Sequence, residues 1–176
     1  NKNVINIFDL QPVSTDADEK ESEEVMYDTK IAIKNVVEDM IIMFKTLWPN
    51  ITEDEINVLD EITEKTYRVV GIDGTESFRY LKPEDYPTFT TFSVVIDQML
   101  EEYENSSLKN KKVIEALLNL QMKMRSLVGT AGIEGHLSRY FNGTTNINMD
   151  SLDTIGLVSF GTKPVSYTHL TLPTIA

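Results

Sequence analysis

Apolar residues recur along this chain at helical spacing in four long stretches. In the first, between Val25 and Trp48, Met26, Ile33, Val37, Met40, Phe44 and Leu47 return at intervals of three, four or seven positions, which places them on one stripe. Val36, Ile41 and Met43 widen that stripe and predict a helix buried on more than one side, stopped by Pro49. Thr52 followed by Glu55 has the form of a capping box. The helix it opens carries Ile56, Leu59, Ile62 and Val69 on its inner face and ends at Gly71, a predicted left-handed cap. A third helix is predicted from Thr90 to Tyr103 through Phe92, Val95, Ile96, Met99 and Leu100. A fourth runs from Lys111 to Val128, with Val113, Ile114, Leu117, Leu120, Met124 and Leu127 inward.

The flanks read differently. Val4-Ile5-Asn6-Ile7-Phe8 is a β-prone run closed by Asp9 and Pro12, and predicts a strand. Ser14–Glu24 is an acidic connector without apolar period. Ile72–Pro87 is a loop, and Gly129, Gly132 and Gly135 predict a helix cap followed by a flexible turn. A short helical piece from His136 to Phe141 leads to an Asn142-Gly143 turn, and then to strands at Ile147–Met149 and Ile155–Phe160.

Composition narrows the function classes. Hydrophobic residues at 41% and charged residues at 25% are globular proportions. Acidic side chains number 28 against 16 basic ones, a net charge of -12 that repels phosphate backbones, so direct nucleic-acid binding is not expected. The densest basic group is only Lys109, Lys111 and Lys112, at the start of a helix. Cysteine is absent, which excludes disulfides and thiolate metal sites. The longest apolar run, Met40–Phe44, falls far short of the ~20 residues of a membrane-spanning helix.

Candidate chemistry is sparse. A phosphate loop needs Gly-x-x-x-x-Gly-Lys-Ser/Thr ahead of a helix; Gly129, Gly132 and Gly135 lack the lysine and follow one. His136 beside Glu134 has no second histidine or cysteine with which to complete a zinc site. Asp150 and Asp153 read as turn formers rather than a catalytic pair. The sequons at Asn50, Asn105 and Asn142 are read as chance, and the methionine-rich helix faces as core filler. No catalytic or metal-ligating set is predicted.

Two segments carry a family resemblance. Asn3-Val-Ile-Asn-Ile-Phe-Asp-Leu-Gln-Pro12 resembles the segment just beyond the nucleotide half-site in ATPases of conjugative type IV secretion systems, the TraC/TraG-like branch of the HerA–FtsK motors. Ile7 stands where that family commonly has proline. Gly135–Met149 resembles the later Phe-x-Gly-x-Thr segment, matched by Phe141, Gly143 and Thr145. Leu157-Val-Ser-Phe160 fits the strand that follows, with Gly161 in place of the usual aspartate, and Pro87-Thr88-Phe89 fits the opening of the family's helical insert.

The resemblance implies an α/β P-loop NTPase parent, of which this piece is mainly α: about four helices inserted between short strands. Residues 1–12 would be a strand and loop of the motor domain, 13–141 the helical insert, and 142–164 the returning strands. The parent would hydrolyse ATP with Mg to power conjugative DNA transfer or secretion, as a homo-hexamer docked with other secretion proteins on the inner, cytoplasmic face of the cell membrane. The phosphate loop and the Walker B acid would lie outside the chain, so no nucleotide-binding residue falls within it. Asn6 and Asp9 occupy motif positions with no chemical step assigned, and Arg139 is a candidate subunit-interface contact, against the plainer reading of a surface arginine. The alternative is a self-contained acidic helical module that binds a protein partner without catalysis.

The final residues are set apart. Val165–Ala176 carry no charge, and Val165–Thr174 resembles the in-frame translation of a transposase-type sequencing adapter. That stretch, with Tyr167 and His169, is expected to be an adapter-derived artefact, and the chain an open-ended piece of a longer gene.

Overall fold

A computed structural model describes residues 3–13 and 26–147. The expected acidic connector, the strand at Ile155–Phe160, all but the first residue of that at Ile147–Met149, Asp150, Asp153, Leu157–Gly161 and the adapter-like stretch lie outside these residues. The described body is mainly helical. Helix α1 spans Thr29–Leu47, α2 Glu53–Val69, α3 Phe89–Asn105 and α4 Lys111–Leu127. A 3-10 turn at Pro83–Asp85 breaks the loop between α2 and α3. After α4 come two short strands, β1 Gly129–Thr130 and β2 Ile133–Glu134, and a single helical turn, α5 Ser138–Phe141.

Local chemistry sets the helix ends. Asp28 caps α1 by accepting from the Ile31 amide at 3.0 Å. The Thr52–Glu55 box is formed: the Glu55 amide donates to Thr52 Oγ1 at 3.2 Å, and the Thr52 amide donates to Glu55 Oε2 at 3.0 Å. Gly71 adopts φ +84° just past α2, as its position predicts.

α2, α3 and α4 pack against one another, and α1 lies on α2. Their stripes meet in one core containing Met40, Phe44, Leu59, Ile62, Phe92, Ile96, Met99, Leu117 and Leu120, none more than 1% exposed. Val69 departs from expectation: it is 56% exposed at the last residue of α2, while Tyr67 is buried at that end of the helix.

Two flanking elements also depart from expectation. Val4–Phe8 forms no strand. The Asn6 side chain accepts from the Phe8 amide at 3.2 Å, and the Asp9 amide donates to the Asn6 carbonyl at 3.1 Å, so the chain turns at Ile7–Phe8. That turn drives Phe8 into the core, 5.1 Å from Phe89 and 5.9 Å from Tyr67 between ring centroids. The glycine-spaced stretch is a hairpin rather than a flexible turn, pairing Gly129 with Glu134 and Thr130 with Ile133. Ala131 and Gly132 take φ +42° and +85°, the twist a two-residue hairpin loop favours. A Cβ on Gly129, at φ +107°, would sit 2.1 Å from the Ile133 carbonyl oxygen, so only glycine fits.

Candidate functional site

The two segments that carry the resemblance meet in space. The Val4 amide donates to Asn146 Oδ1 at 2.8 Å, the Asn146 amide returns to the Val4 carbonyl at 3.3 Å, and the Ile5 amide donates to the Tyr140 carbonyl at 2.9 Å. Thr145 is the centre of this joint. Its hydroxyl accepts from the Asn6 amide at 2.9 Å and donates to Asp9 Oδ2 at 2.6 Å. Asn6 is buried, and its Nδ2 donates to the Pro87 carbonyl at 2.8 Å, just before α3. The Tyr67 hydroxyl donates to the Phe8 carbonyl at 2.6 Å, fastening the same turn to α2.

Electrostatically the joint is uncompensated. Burial holds the Asp9 carboxyl above its ordinary range, only partly offset by the Thr145 hydroxyl, and Asp9 Oδ1 has no hydrogen-bond partner among the described residues. Tyr86 beside it is pushed up to about 12 by burial, then by the charges of Asp9 and Asp85. Asp9 is joined to a hydroxyl and flanked by phenols, with no imidazole or amine in the joint. The cluster has the form of a fastening that ties the Asn6–Asp9 turn to Thr145.

Asn6 and Asp9 therefore come together, and Arg139 does not join them. It is exposed at the end of the body, with its guanidinium 4.6 Å from the Tyr140 ring centroid. His136 is also exposed, and among the described residues no three metal-ligating side chains converge. A shallow depression of about 340 Å³ lies between α3, α4 and the hairpin, where Gln121 Nε2 donates to Asp97 Oδ1 at 2.8 Å; it shares no residue with the joint. Tyr67 and Tyr86 carry no motif signal that singles them out, whereas Thr145 stands in the Phe-x-Gly-x-Thr segment. No protein-family model, curated protein or solved structure matches the chain. Among the described residues no helix is long and apolar enough to cross a membrane.

Proposed function

We propose that this chain is an internal segment of an ATP-hydrolysing motor that powers conjugative DNA transfer or type IV secretion, with the helical body as an insert in a P-loop fold. The observation that supports this is the adjacency of entry and exit. An inserted unit must receive and return the chain at neighbouring points if its host is to stay intact. The host segments on either side of the insert meet that requirement, with Val4 and Asn146 joined through two mutual hydrogen bonds. In this reading ATP and Mg bind the parent, the parent assembles as a hexamer at the inner face of the membrane, and Arg139 is the candidate residue for a subunit contact. Recovery of the full reading frame tests it. A Walker A sequence shortly upstream of Asn1 and an acidic Walker B strand downstream are expected. A start codon close upstream with no phosphate loop would overturn the motor.

A second reading, an acidic helical module that binds a protein partner, draws on a different observation. Phe8 and Leu10 complete the core of the helical body from within the chain, at 0% and 5% exposure. It predicts a cooperative melt by circular dichroism for residues 1–164, and no ATP turnover from the intact gene product.

A further inference from the structure

Helix α3 starts without a cap of its own: Thr88 holds the N-cap position, but its side chain makes no cap bond. The acceptor comes from Asn142, at the far end of the chain fold. The Thr90 amide donates to Asn142 Oδ1 at 3.1 Å, and Asn142 Nδ2 donates to Thr90 Oγ1 at 2.9 Å. Asn142 is followed by Gly143, whose lack of a side chain leaves its backbone nitrogen unhindered toward the asparagine amide carbon.

We propose that Asn142-Gly143 is a modification site that deamidates through a succinimide, and that Thr90 controls its rate by holding the Asn142 amide. The Gly143 nitrogen gives up its proton to solvent and attacks Asn142 Cγ. The N–Cγ bond forms, the Cγ–Nδ2 bond breaks, and ammonia leaves. Water then opens the ring at either carbonyl, giving aspartate or isoaspartate; one water is consumed and one ammonia released, with no change of oxidation state. To reach the Gly143 nitrogen, Cγ must swing away from Thr90, so both cap bonds break before the ring closes. The aspartate product keeps an acceptor for the Thr90 amide and adds negative charge at a helix N-terminus, where it is favoured. The isoaspartate product adds a methylene to the main chain between buried Phe141 and Thr145, and pulls Thr145 off Asp9.

The test incubates the whole chain at mildly alkaline pH, folded and in urea, and follows conversion by peptide mapping that separates asparagine, aspartate and isoaspartate. Asn105-Ser106, exposed at the end of α3, is the internal comparison. In urea Asn142 is expected to convert faster than Asn105. In the folded chain the Asn142 rate relative to Asn105 should drop by roughly tenfold, the effect of holding the amide by two hydrogen bonds. Thr90→Val, which removes the hydroxyl acceptor but keeps the backbone amide donor, should restore part of the lost rate at Asn142 alone, while Thr90→Ser should preserve protection. An unchanged Asn142-to-Asn105 ratio between folded and urea samples would overturn the proposal, as would absence of conversion at Asn142 in urea. The folded-to-urea ratio decides the matter even if Thr90→Val fails to fold.

Discussion

The Thr145 hydroxyl donates to Asp9 Oδ2 at 2.6 Å across 136 residues of sequence, and the same oxygen accepts from the Asn6 amide. One side chain thus closes the entry of the helical body onto its exit. Thr145→Ala strips a partner from both groups at once. It is expected to lower stability by about 1–3 kcal/mol, the cost of leaving part-buried polar groups unpaired, with Thr145→Ser close to the parent. Urea denaturation of the two variants measures this; equal stability of Ala and parent would remove the joint's energetic role.

Tyr67 and Phe8 hold that joint to the helices. Tyr67→Phe keeps the ring in the aromatic cluster but leaves the Phe8 carbonyl without its donor, and should cost about 1–3 kcal/mol. Phe8→Ala empties a fully buried site and should cost about 3–5 kcal/mol. It should also release residues 3–13, so that limited proteolysis cuts near Pro12 well before it cuts the helices. Cleavage at the same rate in parent and variant would contradict this.

Glu55 and Lys123 form an ion pair between the start of α2 and α4, with side chains 2% and 18% exposed. Burial raises the Glu55 carboxyl, but Lys123 and Thr52 outweigh it and leave its pKa below the ordinary value. Lys123→Met abandons a buried carboxylate and should cost about 3–5 kcal/mol at neutral pH. Glu55→Gln keeps the capping box and leaves the charge on the more exposed partner, so it should cost less. Because the folded pKa is lowered, the pair's contribution is present above the unfolded pKa and is lost as pH falls through the folded one. Thermal melts of both variants across acid pH check the asymmetry and its sign.

Asp39, half-buried on α1 with Oδ1 unpartnered among the described residues, runs the other way. Burial and then neighbouring Glu38 raise its carboxyl from 3.8 to about 6. The folded state then holds the proton more tightly than the unfolded one, so stability falls as pH rises from 3.8 to about 6 and levels above. Asp39→Asn should remove that fall: more stable than the parent at neutral pH, indistinguishable below about pH 3.5. A variant less stable than the parent at neutral pH would show that the ionised carboxylate is needed.

The sequence by itself determined the four long helices, the Thr52–Glu55 box, the Gly71 cap and most of the core-facing positions. Each depends on residues within one or two turns of each other, a distance over which periodicity and cap chemistry act without help from the rest of the chain. The sequence also singled out Asn6, Asp9 and Thr145, without indicating that they touch. Tertiary structure decided what happens to the flanks. A β-prone run became a turn because Asn6 bonds its own backbone and Phe8 finds an aromatic cluster built by α1, α2 and α3. The glycines closed into a hairpin because Gly129 and Gly135 leave no room for a side chain against their neighbours. α3 takes its cap from Asn142, 52 residues away, and Thr145 reaches Asp9 across 136. Those contacts join residues that only folding brings together, and no local pattern encodes which distant partner a side chain will meet.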